Sequence, residues 1–421
     1  MKQHIIRLCV LLLAVLLCLS VVGCTAGGDT SSTPSHETQT SAIHSSTTAD
    51  TTTDTTAVTT TNTTTGVNTT ATTVTAAPTK ALCAACGKAT PVSGSAYCAG
   101  CKCAACNDRK VAEGDKFCAK HACVLPSCQE KATVDNGYCA QHGCAQAGCA
   151  KQKETDFAYC TSHNVIDILI FAGQSNMAGA TESIPYPNDP VKGAVEFRYL
   201  TNMLQPLTHP VGEVLGGDLL TGVNKGSPVP YTCDAYIKAS GRQAVAIHVA
   251  QGATKIAEWL KGTDRYTLAV DKIKAGIKLA KQHGKIGHIY CVWLQGESDA
   301  IDRTSKETYM QRLTQFKNDL KKDVGLEKFG IIEVGYFAYT VDWLTDRTKE
   351  DAKQCDETIM QAQEELPKVD SDFVMLTQIC KTKLSLDNAY ENPLADGHYT
   401  NKGVAIIGEE AGKALAKLAK E

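Results

Sequence analysis

The last 258 residues of the chain alternate short apolar runs with longer segments in which apolar positions recur at helical spacing. The apolar runs are seven to nine residues long and predict buried strands at 166–172, 244–250, 286–294, 329–337 and 372–378. The amphipathic segments predict helices at 265–283, 304–323, 347–366 and 401–420. Strands that alternate with helices typically form a parallel sheet covered on both faces. Residues 164–421 are therefore predicted to form an α/β domain.

The N-terminal residues have the pattern of an export signal. The apolar run at 8–22 follows two basic residues and, at about 15 residues, is shorter than the roughly 20 that a membrane span needs. The sequence VVGC at 21–24 resembles a bacterial lipobox, in which the signal is cut before a cysteine that carries lipid. We therefore expect a signal peptide at 1–23 and a lipid on Cys24, which would hold the protein on the extracellular face of a bacterial membrane. A plain signal peptide or a short anchor is the alternative.

Residues 24–80 have the composition of a spacer. They are nearly half threonine, with serine and alanine and few large apolar residues. Such a segment cannot bury enough apolar surface to offset the entropy of folding. We predict a disordered linker, which O-glycosylation would stiffen.

Residues 81–163 repeat a pattern of about 20 residues four times. Each unit has a cysteine pair and then, ten or eleven residues later, a third cysteine and a fourth ligand that is cysteine once and histidine three times. The four predicted ligand sets are Cys83, Cys86, Cys98 and Cys101; Cys103, Cys106, Cys118 and His121; Cys123, Cys128, Cys139 and His142; and Cys144, Cys149, Cys160 and His163.

The histidines favour metal binding over disulfide bonds in this array. The chain has 20 cysteines, and 13 of them, an odd number, lie in these four units. Disulfides are the alternative in an exported protein, but histidine replaces a thiolate on zinc and cannot replace half a disulfide. Four protein ligands leave no position for water, so we expect about four structural zinc ions with no catalytic role.

The charge of the chain excludes nucleic acid as the default partner. The formal net charge is −3, and residues 81–163 hold nine Lys/Arg against seven Asp/Glu. That balance provides no basic stripe for phosphate. A contact with the cell wall or with another protein fits the Cys/His modules better. Aromatic residues make up only 6% of the chain, which predicts an aliphatic core.

Two polar segments of the predicted α/β domain carry candidate chemistry. Parallel sheets gather functional groups where their strands end, and Ser175 follows the first predicted strand. A serine at such a turn can be a nucleophile beside free N–H groups, or simply a helix N-cap. His398 lies in a loop before the last helix with Asp396 close by.

Four sequence blocks in this domain resemble those of SGNH/GDSL-type hydrolases. GQSNM at 173–177, QGAT at 251–254 with Trp259 beyond it, WLQGESD at 293–299 and DGH at 396–398 occur in the family's order. They are most similar to the sialic-acid O-acetylesterase and acetylxylan-esterase branch of the carbohydrate esterases. The resemblance covers about 164–421 and implies a flavodoxin-like three-layer α/β/α fold with no catalytic metal.

The resemblance also implies the roles of the reacting groups. Ser175 would attack the acetyl carbonyl, and His398 would take its proton and later activate water. Asp396 would orient His398 and stabilise its cation. Glu297 is the rival for that third position.

The same resemblance implies an oxyanion-binding set. The donors would be the N–H groups of Ser175 and Gly252 and the side chain of Gln295. Gln174 and Asn176, on either side of the nucleophile, complete the expected oxyanion and substrate-binding residues.

Two positions depart from the family pattern. Ala253 stands where a second glycine is usual, and its methyl group would narrow the pocket, or strain the loop if a positive φ is required there. Tyr399 follows His398 where proline is frequent, which we expect to alter the rim of the site.

These observations predict a cell-surface esterase that removes acetyl groups from glycans. A surface adhesion protein with a non-catalytic hydrolase scaffold is one alternative, and a lipase or thioesterase of the same superfamily is another. The acetylated sugar is not specified by the sequence. Four further cysteines, Cys233, Cys291, Cys355 and Cys380, are either buried thiols or partners in one or two bridges.

Overall fold

The structure is a computed structural model. It describes residues 137–222 and 225–420, with short stretches at 84, 89, 91–93, 98–99, 117, 123–125 and 128–133. The expected signal peptide, Cys24 and the linker at 24–80 lie outside the described residues. Among the helices of the described part, none is long and apolar enough to cross a membrane.

Seven strands form one sheet, which extends over the C-terminal part of the chain. They are β1 (Val165–Gly173), β2 (Ala194–Arg198), β3 (Met203–Pro206), β4 (Gln243–His248), β5 (Lys285–Leu294), β6 (Lys328–Ile332) and β7 (Phe373–Thr377). Their order in the sheet is β3-β2-β4-β1-β5-β6-β7. All neighbours are parallel except β2 and β3, which are antiparallel and place β3 at one edge.

Nine α-helices are described around this sheet. They are α1 (Ser175–Ala178), α2 (Val229–Ser240), α3 (Asp264–His283), α4 (Glu297–Ile301), α5 (Lys306–Val324), α6 (Phe337–Thr340), α7 (Lys349–Val369), α8 (Ile379–Thr382) and α9 (Asn401–Leu418). Helices α2 and α9 pack against each other, while α5 packs against both α3 and α7. The result is a three-layer α/β/α arrangement, as predicted.

The hydrophobic pattern located most of these elements. The five predicted strands correspond to β1, β4, β5, β6 and β7, and the four predicted helices to α3, α5, α7 and α9. The strand predicted at 329–337 is too long, because β6 ends at Ile332 and helix α6 begins at Phe337. The pattern missed β2, β3 and α2, which are short or lie in a stretch without clear periodicity.

The core contains more aromatic packing than the composition predicted. The rings of Trp259 and Trp293 lie 5.5 Å apart, and that of Phe316 lies 5.3 Å from Trp293. Phe329 and Phe373 continue the group, also with centroids 5.3 Å apart. The expectation of an aliphatic core is therefore wrong on this side of the sheet, because the few aromatic residues are concentrated there.

The four cysteines of this domain are all free thiols. Cys233, Cys291 and Cys380 are fully buried, and burial raises the pKa of each thiol far above its usual range. A neutral buried thiol behaves as a small apolar side chain. The sequence left open whether these cysteines are thiols or form disulfide bridges, and the structure shows thiols.

Ala253, in the turn after β4, adopts the left-handed conformation with φ of +56°. Its side chain is exposed, so the methyl group strains the loop rather than filling a buried pocket. An L-residue with a Cβ is less stable in this region than glycine by about 1–2 kcal/mol.

We predict that Ala253→Gly raises the free energy of unfolding by about 0.5–1 kcal/mol. The substitution relieves the backbone strain, and the greater conformational entropy of glycine in the unfolded chain offsets part of that gain. Chemical denaturation would measure it. Ala405→Gly, in the second turn of α9, is the matched control and should lower the same quantity by about 1 kcal/mol. Equal destabilisation by both variants would contradict the strain at Ala253.

Candidate active site

Ser175 and His398 meet at the edge of the sheet where the parallel strands end. Ser175 follows β1 and begins α1, whereas His398 lies in the loop before α9. The distance from His398 Nε2 to Ser175 Oγ is 2.8 Å, a hydrogen bond between residues 223 positions apart in the chain. A serine hydroxyl bonded to an imidazole nitrogen is the arrangement of an activated nucleophile.

The turn that presents Ser175 depends on Gly173. This residue has φ of +141°, and a Cβ at its position would lie 2.0 Å from the main-chain oxygen of Leu294, the last residue of β5. Gln174 N donates to that same oxygen at 3.0 Å. Only glycine allows the ends of β1 and β5 to approach this closely, and the chain then turns so that Ser175 projects above the sheet.

His398 is oriented by a main-chain group. The carbonyl oxygen of Asp396 lies 3.1 Å from His398 Nδ1. The Asp396 carboxylate is exposed and makes no hydrogen bond to any described residue, so it does not contact the imidazole. The ring of Phe337 packs edge-on against His398 with centroids 5.5 Å apart. The group that hydrogen-bonds to His398 Nδ1 is therefore the peptide carbonyl of Asp396 and not the carboxylate that a Ser-His-Asp triad would use.

The surroundings keep the imidazole neutral. Burial lowers the pKa of His398, and this outweighs the hydrogen bonds to the main chain of Asp396 and Ala395 and the attraction of the Asp396 carboxylate, which all raise it. A pKa below the usual value near 6.5 leaves His398 free to accept a proton at neutral pH.

Glu297, the rival acid, does not contact His398. It is buried, and its Oε1 accepts a hydrogen bond of 3.0 Å from Asn176 Nδ2. Asn176 Oδ1 in turn accepts one of 3.3 Å from the N–H of Tyr399. These bonds join the nucleophile turn to the histidine loop. Glu297 and Asn176 thus fix the turn of Ser175 relative to the loop of His398, and the expectation that Asn176 binds substrate is not supported.

The carboxyl group of Glu297 is buried in surroundings that disfavour its charged form. Burial raises the pKa of its carboxyl group, against the hydrogen bond from Asn176, which lowers it. Its second oxygen, Oε2, is buried without a hydrogen-bond partner among the described residues. A carboxyl group in such surroundings favours its neutral form.

Two main-chain N–H groups remain available beside Ser175 Oγ. A Cβ placed on Gly252 would lie 3.6 Å from the Cβ of Ser175, so this loop packs directly against the nucleophile. The N–H groups of Ser175 and Gly252 donate to no described group. Both fit the predicted oxyanion donors. Gln174 is buried beside them, with its Oε1 accepting from Ser298 N at 3.2 Å and its amide nitrogen unpaired among the described residues.

Gln295 does not serve as an oxyanion donor in this structure. Its Nε2 donates to the carbonyl of Thr254 at 2.8 Å and to Asp299 Oδ2 at 2.6 Å. Both amide hydrogens are therefore engaged, and the side chain is fully buried. The expectation is wrong because two acceptors inside the protein already take both N–H bonds of this amide.

Asp299 is the buried residue that the sequence analysis overlooked. Besides Gln295 Nε2, it accepts from Ile256 N at 2.8 Å and from Thr304 Oγ1 at 2.9 Å. It ties the loop after β4 to the loop after β5, and Trp259 Nε1 supports the same corner by donating to Thr254 Oγ1 at 3.1 Å. Its position within the WLQGESD block was the available signal.

Tyr399 lies inside the protein and not at the rim of the site. Its side chain is buried, and its hydroxyl lies 3.1 Å from Ser385 Oγ. Tyr399 therefore does not alter the rim of the site, contrary to the expectation.

The third and fourth predicted ligand sets each come together in space. In the third set, the distances are 3.7 Å from Cys128 Sγ to Cys139 Sγ, 3.5 Å from Cys123 Sγ to His142 Nδ1, and 3.2 Å from Cys139 Sγ to His142 Nδ1. All four ligand atoms lie within 4.8 Å of one another.

The fourth set repeats this geometry. Cys149 Sγ lies 3.8 Å from Cys160 Sγ, and His163 Nδ1 lies 3.5 Å from Cys144 Sγ and 3.4 Å from Cys160 Sγ. Zinc bond lengths in a regular tetrahedron give about 3.8 Å between sulfurs and about 3.5 Å between sulfur and nitrogen. A disulfide would require about 2.05 Å. Both clusters therefore have the dimensions of a tetrahedral Cys₃His metal site.

The other two sets cannot be compared in this way. Of their eight ligands, only Cys98 belongs to the described residues, and the remaining seven lie outside them.

Known proteins provide an independent comparison. The family model for carbohydrate esterase, sialic acid-specific acetylesterase, matches residues 165–389, which is more than half of the chain. The match includes Ser175 and ends before Asp396 and His398. A search of curated proteins found no match.

Solved structures with a similar fold come from several organisms. A protein from Arabidopsis thaliana is 19% identical, with a TM-score of 0.42 over 59% of this chain and 96% of that one. A carbohydrate acetylesterase from Xanthomonas citri is 13% identical, with a TM-score of 0.35 over 60% and 56%. A catalytic mutant of an acetylxylan esterase from Geobacillus stearothermophilus is 12% identical, with a TM-score of 0.31 over 60% and 93%.

The family match covers the strands and loops that present Ser175, and the seven-stranded sheet has the SGNH hydrolase fold. The chain belongs to the carbohydrate esterase family of sialic acid-specific acetylesterases.

Proposed function

We propose that this protein is a serine O-acetylesterase that removes acetyl groups from glycans. The observation that carries the proposal is the hydrogen bond of 2.8 Å between Ser175 Oγ and His398 Nε2, beside the unpaired N–H groups of Ser175 and Gly252. A nucleophile, a neutral base and two convergent donors are what acyl transfer requires. A scaffold used only for binding has no need of this combination.

In the first half of the reaction, Ser175 Oγ attacks the acetyl carbonyl carbon while His398 Nε2 takes the hydroxyl proton. The negative charge that develops on the carbonyl oxygen is bound by the N–H groups of Ser175 and Gly252. His398 then gives the proton to the sugar oxygen as the carbon–oxygen bond breaks. The deacetylated glycan leaves, and an acetyl group remains on Ser175.

In the second half, His398 takes a proton from water, which attacks the acetyl group on Ser175. Collapse of the second tetrahedral intermediate releases acetate, and the proton returns to Ser175 Oγ. During both halves the imidazole is transiently a cation whose Nδ1–H donates to the Asp396 carbonyl. The dipole of this carbonyl stabilises the cation, and the exposed carboxylate adds a weaker attraction from a distance.

The substrate class rests on the family. Acetylated carbohydrates are the substrates named for the Xanthomonas citri and Geobacillus stearothermophilus proteins. An acetylated glycan is accordingly the substrate that we propose for this chain.

The location that we propose follows from the N-terminal sequence. A signal peptide at 1–23, a lipid on Cys24 and an extended linker at 24–80 would hold the esterase outside the cell on a tether. Glycans of the surroundings would then be within reach of a membrane-anchored enzyme.

The Cys/His array is proposed to bind structural zinc, one ion per module. The tetrahedral dimensions of the third and fourth clusters support this, as does the alternation of cysteine and histidine at the fourth ligand position. With four protein ligands each, these ions would take no part in ester hydrolysis.

The test of the proposed activity is acetate release by the full chain from acetylated xylan, from O-acetylated sialic acid and from an aryl acetate. We expect hydrolysis of at least one glycan ester, and a loss on the order of 10³-fold or more in kcat for Ser175→Ala, because Ser175 carries the only hydroxyl that hydrogen-bonds to His398 among the described residues. Aryl esters with longer acyl chains should react more slowly than the acetate.

The alternatives give different results in the same assay. Glycan binding without hydrolysis by the wild type would indicate an adhesion protein, and a preference for long acyl chains would indicate a lipase or thioesterase. Full activity of Ser175→Ala would exclude the mechanism.

Asp396→Ala is expected to keep kcat/KM within about fivefold of the wild type, because the substitution preserves the carbonyl that orients His398 and removes only an exposed charge. His398→Ala, in contrast, should lose on the order of 10³-fold or more. Steady-state kinetics on an aryl acetate measures both. A loss approaching 10⁴-fold in Asp396→Ala would mean that the carboxylate is the orienting group.

The pH dependence of kcat/KM should have its acidic midpoint below 6.5. Burial lowers the pKa of His398, so the imidazole stays neutral to a lower pH than a free histidine, and activity falls only once it is protonated. Asp396→Ala removes a charge that raises this pKa, and its midpoint should move further down. A wild-type midpoint above 7 would contradict the environment described for His398.

A further inference from the structure

The fourth Cys/His cluster differs from the third in lying against the esterase sheet. Phe157, between the ligands Cys149 and Cys160, is 2% exposed and packs in the same hydrophobic core as the strands. Its ring centroid is 6.3 Å from that of His283. The main-chain hydrogen bonds described for the third cluster run within 123–143, apart from one of 3.0 Å from Lys153 N to His142 O, which leads to the fourth module.

Polar contacts fix the same segment at the edge where the strands begin. Ala158 N donates to Gln243 Oε1 at 3.0 Å, and Glu154 Oε2 lies 3.1 Å from His283 Nδ1. Gln243 is the first residue of β4, and His283 is the last of α3, just before β5. The module therefore lies where the parallel strands begin, whereas Ser175 lies where they end.

The last ligand of the module is almost continuous with the central strand. Only Asn164 separates His163 from β1. The N–H of Asn164 donates to the carbonyl of Cys160 at 2.9 Å, its own carbonyl accepts from Lys285 N at 2.9 Å, and its side chain donates to His283 O at 3.1 Å. The position of the cluster and the start of β1 and β5 are thus fixed by one buried residue.

The module has little apolar packing of its own to hold this segment. Its separate core consists of Cys144, Cys149 and Cys160, with Tyr159 packed against them. Folded segments of this size generally need a metal or disulfides, because the buried apolar area is too small. The bond of 2.9 Å from Ala145 N to Ala158 O links the neighbour of the first ligand to the docking segment.

We propose that zinc bound at the fourth cluster clamps residues 150–159 onto the esterase, so that this module is a structural part of the catalytic domain. Zinc binding displaces three protons to solvent from the thiols of Cys144, Cys149 and Cys160, while His163 binds through Nδ1 as neutral imidazole. The site then carries a net charge of −1. An ion that binds only the ordered module stabilises the docked domain by a free energy that grows with the logarithm of the ion concentration divided by its Kd.

The experiment compares two variants of the full chain, Cys149→Ser and Cys128→Ser, which change the second ligand of adjacent modules. Each should lower the zinc content by about one ion per chain, measured by elemental analysis. The three tryptophans, Trp259, Trp293 and Trp343, all lie in the esterase domain, so their fluorescence follows its thermal unfolding. We expect Cys149→Ser to lower this Tm by on the order of 5 °C and Cys128→Ser to leave it within about 1 °C.

Phe157→Ala tests the docking without touching a ligand. This variant should keep the wild-type zinc content and still lower the tryptophan Tm by on the order of 5 °C or more, because a buried aromatic side chain is lost. A chelator should lower the Tm of the wild type and should change that of Phe157→Ala much less, since its module no longer transmits the effect of the metal.

Equal Tm shifts for Cys128→Ser and Cys149→Ser, a chelator effect as large in Phe157→Ala as in the wild type, or a protein that binds no zinc would each overturn the proposal. Acetate release, assayed at a temperature below the unfolding transition of every variant, reports separately on the proposed activity. Retained hydrolysis with an unshifted Tm rejects the clamp alone, and a shifted Tm without hydrolysis rejects the esterase alone.

Discussion

The close approach of the ends of β1 and β5 is the constraint on which the site depends. The last residue of β1, Gly173, lies against the main-chain oxygen of Leu294, with no space for a Cβ. This contact brings the nucleophile turn and the loop after β5 together at the centre of the sheet. Ser175, Gly252 and the buried acids of α4 occupy fixed positions because the strands beneath them can meet in only this way.

A second layer of buried polar groups turns this arrangement into a defined geometry. Asn176 connects Glu297 to the main chain of Tyr399, and so connects the nucleophile turn to the histidine loop. Asp299 does the same for the loops after β4 and β5. Buried hydrogen bonds of this kind are costly to leave unpaired, so they restrict each loop to one conformation. The residues that react are few, and most of the conspicuous sequence blocks serve to hold them.

The sequence carried enough information for five of the seven strands, for the four longest helices and for the pairing of Ser175 with His398. Periodicity located β1, β4, β5 and β7, and the ends of those strands pointed to Ser175. The alternation of cysteine with histidine grouped the third and fourth ligand sets correctly. Gln295 could not be assigned from its position alone, since the direction of an amide depends on which acceptors surround it. The region 180–240 lacks clear periodicity, so the hydrophobic pattern did not reveal β2, β3 and α2.

The orienting group of His398 was hidden for a different reason, because a peptide carbonyl has no signature in the sequence. Every residue type provides that oxygen, so the geometry depends on the path of the loop and not on the side chain at 396. The orientation of His398 is thus independent of the side chain at 396, whereas in a triad with a carboxylate the two depend on each other. The exposed side chain at 396 can therefore differ without changing the hydrogen bond that holds His398.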